Sequence, residues 1–204
     1  SIRIDWILND IQVPYMMEYL ICNNGAIVVT GSIDLTGTKL PELPRFGMRM
    51  ELHQPYENLV YYGRGPFENY IDRYSSSFIG RYEDKVENQF YWYTRPQETG
   101  NKTDVRWLSL LDSEGQGVRI TGLQPIAFSA LHFSPEDLDP GLTRKLQHTI
   151  DIVPQKNIFL HVDLKQRGLG GDNSWGMYPH NEYRLLDKKY TYSYMIELVK
   201  KNSD

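Results

Sequence analysis

The stretch Arg45–His53 reads RFGMRMELH, and its apolar residues fall at every second position. Phe46, Met48, Met50 and Leu52 would all lie on one face of an extended segment, with charged and polar side chains on the other face. Side chains of a β-strand alternate in this way. The pattern therefore predicts a strand that rests one face on a core and exposes the other.

The same period of two recurs along most of the chain. Phe159–Leu164 and Thr191–Val199 alternate in the same manner. Turn signals such as Asn24-Gly25 separate the apolar runs at short intervals. Further strands are predicted at Ala26–Leu35, Leu59–Tyr62, Val105–Leu111, Val118–Leu123, Ile126–Leu131 and Gln147–Val153. Many short strands with Gly and Pro turns predict an all-β sandwich or barrel, formed by residues 1–204 as a single domain.

One helix of one or two turns is predicted near the middle of the chain. Ser134 can cap it, Pro135 suits the first helical position, and Glu136 and Asp137 place acids in the first turn. Pro140-Gly141 would end it.

Composition restricts the partners. The 204 residues include 22 Lys and Arg and 26 Asp and Glu, for a formal net charge of -4. Phosphate binding needs clustered basic residues, and this chain has no basic run, so nucleic acid is not expected as a partner. No apolar stretch approaches the roughly 20 residues that cross a bilayer, so no membrane is expected either. Cys22 is the single cysteine, which excludes an intramolecular disulfide and a multi-cysteine metal cluster.

Few residues are spaced for catalysis or metal binding. None of the five histidines stands in an HxH or HxxxH arrangement, so the sequence predicts no metal site. The chain has no G-x-S-x-G, phosphate-binding loop or dinucleotide fingerprint. Asn181-Glu182 resembles the pair that carries the acid/base Glu of retaining glycosidases. That pair belongs to a (β/α)₈ barrel strand, and this chain shows no alternation of strands and helices.

Two segments are richer in polar and glycine residues than the rest. The first, Tyr61–Arg73, reads YYGRGPFENYIDR. Its charged residues Arg64, Glu68, Asp72 and Arg73 could form a network that holds a long loop rigid. Such a loop can be purely structural or can contact a ligand.

The second segment, Arg167–Gly176, reads RGLGGDNSWG. Adjacent glycines permit backbone angles that other residues avoid, and Asp, Asn and Ser fix loops through local hydrogen bonds. Trp175 follows these residues in a polar setting. Its indole could stack on the apolar face of a sugar ring or anchor the loop by packing.

Four motifs in order resemble the C-terminal, small-chain domain of the β-galactosidases of glycoside hydrolase family two. They are Leu43–Gly47, Tyr62–Arg73, Arg95–Trp107 and Gly170–Trp175, and the resemblance covers the chain from about residue 26 to its end. It implies an antiparallel super-sandwich similar to galactose mutarotase. It also implies that the chain is a fragment of a larger multidomain enzyme, cut near a domain boundary and lacking the first strands of the sandwich.

The resemblance further implies a division of labour. The whole enzyme would hydrolyse terminal non-reducing β-D-galactosides with retention, as a homo-oligomer. Its (β/α)₈ barrel would hold both catalytic carboxylates and the magnesium and sodium ions, leaving this chain with no catalytic residue, metal or cofactor. Trp175 would stack on the galactoside bound to that missing barrel, with Asp172, Asn173 and Ser174 supporting the indole. The isolated chain is expected to be inactive.

Two other functions are compatible with the residues. A free-standing sugar-binding module would have a complete sugar site of its own. An aldose mutarotase would need a His acid and a carboxylate base converging on a sugar. The candidates for that pair are His132, His148 or His161 with Glu51 or Asp163.

Overall fold

The computed structural model of the chain describes residues 1–139, 141, 147–173 and 175–200. Within these residues it forms one sheet of ten strands. In chain order they are β1 (Ile2–Leu8), β2 (Val13–Ile21), β3 (Ile27–Asp34), β4 (Arg45–Leu52), β5 (Asn58–Gly65), β6 (Phe78–Lys85), β7 (Lys102–Leu111), β8 (Gly117–Leu131), β9 (Ile158–Gln166) and β10 (Lys189–Val199). Short 3-10 helices lie at Val86–Gln89, Thr149–Asp151 and Asn181–Tyr183.

The ten strands form two layers that share one strand. The main layer has the order β1-β2-β3-β10-β8-β7-β5-β6, and β4 and β9 lie off this path. The first part of β8 pairs with β10, whereas its last residues, Ala127–Leu131, pair with β9. β4 pairs with the other edge of β9. All of these pairings are antiparallel, which confirms the predicted all-β sandwich.

Aromatic residues join the two layers. Phe46 on β4 lies with its ring centroid 5.5 Å from those of both Tyr190 and Tyr192 on β10. The Tyr192 hydroxyl, buried in the core, donates a 3.0 Å hydrogen bond to the Val162 carbonyl on β9. A buried phenol needs such a partner, so this bond satisfies the hydroxyl and fixes the spacing of the layers.

The period of two locates most strands correctly. The alternating segments around Arg45–His53, Phe159–Leu164 and Thr191–Val199 are β4, β9 and β10. The predicted helix is α1 (Pro135–Leu138), with Ser134 accepting from the Asp137 amide as a capping box. The helix stop predicted at Pro140-Gly141 lies partly outside the described residues, because Pro140 is not among them.

The structure differs from the prediction at two places. Val118–Leu123 and Ile126–Leu131 were expected as two strands and form the single strand β8. The strand predicted at Gln147–Val153 is wrong, since Thr149–Asp151 is a 3-10 helix in which Asp151 accepts from the His148 amide. Ile150 and Val153 are 87% and 76% exposed there and only Ile152 is buried, so the alternating residues do not share one face on the core.

Three strands went unpredicted. β6 is exposed along most of its length and β1 has exposed residues on both faces, so neither has a buried face to produce a clear alternation. β2 has Pro14 as its second residue, which argues against a strand assignment on sequence alone. Among the described residues, no helix is long and apolar enough to cross a membrane.

Gly47 is the point where the β4–β9 register shifts. A Cβ built there would overlap the Asp163 carboxylate and lie 2.6 Å from the Asp163 Cα. We expect Gly47→Ala to lower the free energy of unfolding by about 2–3 kcal/mol, because the overlap involves backbone that cannot give way. Urea denaturation of the chain measures this. Gly80→Ala is the control, since its closest atoms are those of the Tyr82 ring at 3.3 Å; an equal loss for both would contradict the steric cause.

Candidate functional site

The loop that carries Trp175 leaves the end of β9 and is tied to the body of the domain by backbone bonds. The Arg167 amide donates to the Pro44 carbonyl at 2.9 Å, and the Gly168 amide donates to the Tyr183 carbonyl at 2.8 Å. These bonds join the start of the loop to the segment before β4 and to the segment before β10. The loop therefore begins from a fixed position.

Asp72 connects this loop to the first polar segment. Its Oδ2 accepts from the Gly170 amide at 2.7 Å. A Cβ at position 168 would lie 2.7 Å from the Asp72 Cγ, and one at position 171 would overlap the Met177 carbonyl. The glycines at these positions are thus required by close approach of the chain to itself. The two segments singled out in the sequence are in direct contact.

A second anchor lies under the far side of the loop. Glu42, whose side chain is only 5% exposed, accepts from Arg184 Nε at 2.6 Å and from Arg167 Nη1 at 3.0 Å. Burial opposes ionisation of Glu42, but the hydrogen bonds from the two arginines outweigh it and lower its pKa. The Tyr178 ring lies 4.6 Å from the Arg184 guanidinium, within cation–π range.

Trp175 stands out from this braced loop. Its residue surface is 90% exposed, the largest exposure among the big apolar residues described. Its amide donates to Asn173 Oδ1 at 2.8 Å, which is an Asx-type turn of the kind expected from the sequence. Asp172 instead faces His180, with Oδ1 2.9 Å from Nε2, and this hydrogen bond raises the pKa of His180. Ser174 lies outside the described residues.

The structure therefore places Asn173 as a direct support of the Trp175 backbone and Asp172 as a support of the loop through His180. Neither arrangement shows a substrate, so the binding roles of Trp175, Asn173 and Asp172 stay predictions. His180, Glu42 and Asp72 brace the loop as well. Of these three, only Asp72 lay in a segment that the sequence singled out. Glu42 is 125 and 142 residues from the arginines it bonds, and His180 is eight residues from Asp172, outside the motif.

The charge network expected in Tyr61–Arg73 forms only in part. Arg73 Nη2 bonds Glu68 Oε1 at 2.7 Å, as expected. Arg64 pairs with Asp104 on β7 instead, and Asp72 bonds the Trp175 loop. Burial opposes ionisation of Glu68, but hydrogen bonds from Tyr93, Gly100 and Thr99 outweigh it and lower the pKa of Glu68. These contacts hold the segment in place, and through Asp72 it also braces the candidate site.

Four of the five histidines contact protein partners away from the Trp175 loop. Within the described parts of the chain, no three His, Cys, Asp or Glu side chains come together as metal ligands. His53 bonds Asn157, His132 bonds Glu57, His148 contacts Asp151 and His161 bonds Arg45. Glu182 is exposed on a 3-10 helix, unlike a barrel strand-end glutamate.

The carboxylates named for a mutarotase are also engaged elsewhere. Asp163 has no exposed surface, so its carboxylate cannot touch a sugar. Glu51 accepts from the Asn157 side chain, while both ring nitrogens of His132 are bonded to other groups, the Asn157 carbonyl and Glu57. His161 and Asp163 both contact Arg45. The guanidinium of Arg45 therefore lies between the possible acid, His161, and the possible base, Asp163.

The fold and the loop together define an all-β sandwich domain that presents one tryptophan on a braced glycine-rich loop. The chain belongs to the β-galactosidase small chain family, whose model matches residues 4–196.

Its relatives are much longer proteins. It is 32% identical over 197 residues to a protein named β-galactosidase from Priestia megaterium, and the match covers 96% of this chain but 18% of the relative. A β-galactosidase from Streptococcus thermophilus is 33% identical, with 92% of this chain and 18% of the relative covered. β-Galactosidase BgaC from Bifidobacterium adolescentis is 35% identical over 164 residues, 78% of this chain and 15% of the relative. The chain thus spans less than a fifth of the length of these relatives.

Proposed function

We propose that this chain is the small-chain part of a β-galactosidase and forms one wall of its substrate pocket. The assembled enzyme would hydrolyse terminal non-reducing β-D-galactosides with retention. Trp175 would stack on the sugar, while the carboxylates that break the glycosidic bond would lie in the rest of the enzyme. The family membership and the small share of each relative that the chain covers support this division.

The observation that carries the proposal is the exposure of Trp175 on a loop whose backbone is held. An indole that is 90% exposed contributes little to the core of its own domain. Because Gly170 is bonded to Asp72 and the Trp175 amide to Asn173, the ring is attached to a backbone with little freedom. A flat apolar ring with one N–H donor suits a sugar, which has an apolar face and hydroxyl groups.

The chemistry of this wall is binding and exclusion of water. A ring stacked on the galactosyl unit would orient it and keep water from one side of the pocket. Retention would come from two carboxyl groups about 5–5.5 Å apart, one acting as nucleophile and the other as acid and then base. We assign neither of them to a residue of this chain.

The magnesium and sodium ions implied by the resemblance would also be bound by the rest of the enzyme. In the described portion of the chain no three His, Cys, Asp or Glu residues converge as ligands, and we assign neither ion to a residue of this chain. The assembled enzyme would be a homo-oligomer, which sedimentation of the purified protein would test.

The isolated chain is expected to show no hydrolysis of a chromogenic β-galactoside above a blank, because the bond-breaking carboxylates would be missing. The same chain combined with the rest of the enzyme, as one polypeptide or as separate subunits, is expected to be active. The measurement is the release of nitrophenol from nitrophenyl β-galactoside. Turnover by the isolated chain that persists through repeated purification would refute the proposal.

A free-standing sugar-binding module is the second candidate, since Trp175 is already exposed in the chain by itself. The affinity of the isolated chain for galactose distinguishes such a module from one wall of a shared pocket. A module would bind galactose without any partner and lose that affinity in Trp175→Ala, whereas one wall of a shared pocket would bind it very weakly alone. The structure gives an aldose mutarotase no comparable support, and a polarimetric anomerisation assay would test it.

A further inference from the structure

A cavity of about 390 Å³ lies between the second layer and the segment before β7, away from the Trp175 loop. His161 on β9 and Ser129 on β8 stand opposite each other across the strand pair and line it, and Glu98 lines it from the segment before β7. Leu131, Phe133 and Phe159 provide its apolar surface. We call this the Glu98–His161 pocket. Its volume falls within the range of small-molecule sites.

Arg45 positions the two titratable groups of the pocket. Its Nη1 lies 2.9 Å from His161 Nδ1, and its Nη2 donates to Glu98 Oε1 at 3.0 Å. An arginine can only donate, so His161 Nδ1 must be the acceptor and the ring proton must be on Nε2. One side chain outside the pocket thus fixes both the orientation and the tautomer of His161.

The guanidinium of Arg45 contacts two further side chains inside the protein. Its Nε lies 3.0 Å from Asp163 Oδ2, in a carboxylate with no exposure, and its Nη2 also donates to Gln166 Oε1 at 2.6 Å. Arg45 therefore faces the carboxyl groups of Asp163 and Glu98 and is not itself part of the pocket lining.

His161 remains neutral in this setting. Burial, and then the charge of Arg45, lower the pKa of His161 to about 3. The ring therefore keeps a single N–H donor at neutral pH. Glu98 supplies acceptor oxygens, with its side chain 33% exposed and so within reach of a ligand. Burial raises the pKa of Glu98.

We propose that the Glu98–His161 pocket binds a neutral hydroxylated molecule of monosaccharide size. A hydroxyl group both donates and accepts, so it can satisfy Glu98 and the His161 Nε2–H together. The apolar surface of Phe133 and Phe159 would face the C–H side of a sugar ring. Arg95 lines the pocket together with two acidic residues, Glu98 and Asp139, so the lining offers an anion no excess of positive charge. This site is separate from the wall formed by Trp175 and does not depend on the function proposed for it.

Crystals of the assembled protein that contains this chain, soaked in D-galactose at about 100 mM, test the proposal. That concentration is well above the Kd on the order of 1 mM expected for so small a ligand. We expect galactose in the pocket, bonded to Glu98 and to His161 Nε2. Glu98→Gln keeps the oxygen that accepts from Arg45 but removes the charge, and it should need at least about tenfold more galactose for equal occupancy. The matched control is Glu87→Gln, an exposed glutamate outside the pocket.

The outcomes separate this proposal from the other one. Galactose beside Trp175 with only water in the pocket would overturn the inference and leave the proposed function intact. Galactose in the pocket and none beside Trp175 would support the inference and count against the proposed function. Equal occupancy in Glu98→Gln and wild type would also overturn it, as would tighter binding of inorganic phosphate than of galactose. Calorimetry on the same proteins in solution is a further check. Galactose that binds in soaked crystals but not in solution would be binding at crystal concentration only, and that result would count against the proposal.

If Glu98→Gln does not fold, His161→Phe replaces it. This variant keeps a planar ring and removes the Nε2–H donor. Thermal unfolding of each variant establishes that the protein is folded before binding is compared. A folded His161→Phe protein that binds galactose as tightly as wild type would overturn the proposal.

Discussion

On the proposed function, Trp175→Ala in the assembled enzyme is expected to lower kcat/KM for a β-galactoside about 30-fold. Covering the face of a large apolar side chain contributes about 2 kcal/mol, and each 1.4 kcal/mol is a factor of ten. If the ring stacks equally on substrate and transition state, the loss appears as a higher KM with kcat retained. The measurement is steady-state kinetics on nitrophenyl β-galactoside.

The stability of the protein should not follow this loss. Trp175 is 90% exposed, so its replacement should change the free energy of unfolding by less than about 0.5 kcal/mol. Trp175→Phe keeps a flat ring and is expected to retain most of the activity. Trp6→Ala is the matched control and is expected to leave the kinetics unchanged. Trp6 is 47% exposed on β1, which lies at the opposite edge of the main layer from β5 and β6. Unchanged kinetics in Trp175→Ala would rule out the stacking role.

Asn69→Ala is expected to destabilise the chain by about 4 kcal/mol. Asn69 is completely buried, and its Nδ2 donates to the Arg64 and Phe67 carbonyls at 3.1 and 3.0 Å. Its Oδ1 accepts from the amide and the hydroxyl of Thr103 at 2.8 and 2.6 Å. Alanine would remove four hydrogen bonds of about 1 kcal/mol each and leave their partners buried.

Urea denaturation of the purified chain measures the effect of Asn69→Ala as a shift of the midpoint. Asn23→Ala is the matched control, since Asn23 is an exposed turn residue and its replacement should cost less than about 0.5 kcal/mol. A loss of under about 1 kcal/mol for Asn69→Ala would show that water or a rearranged loop replaces these bonds.

The parts of the fold that could be predicted are those in which one strand face meets the core. β4 and β10 place alternate side chains against each other, with Phe46 between Tyr190 and Tyr192, so burial imposes the period of two on their sequences. β6 lacks such a signal because its residues are mostly exposed on both faces. In Gln147–Val153, Ile152 is buried but Ile150, two positions before it, is exposed, so the alternation does not correspond to a strand face on the core. A pattern of apolar residues predicts a strand only where another layer covers it.

The candidate site divides in the same way between local and distant contacts. The bond from the Trp175 amide to Asn173 spans two residues, and the sequence predicts such a turn. The bond from the Gly170 amide to Asp72 spans 98 residues, and those from Arg167 and Arg184 to Glu42 span 125 and 142. Contacts at such separations depend on how the strands are ordered in the sheet, which the spacing of residues along the chain does not specify.

Strand β8 belongs to both layers, and this affects how the domain unfolds. The first of its 15 residues pair with β10 and the last with β9, while β7 pairs with it at intervals from Gly117 to Phe128. Neither layer can therefore open fully without breaking hydrogen bonds of the strand that the other layer also uses. The domain should then unfold as one cooperative unit, with the amides of β8 among the last to exchange with solvent. Such a unit would hold the base of the Trp175 loop in place until the whole domain is lost.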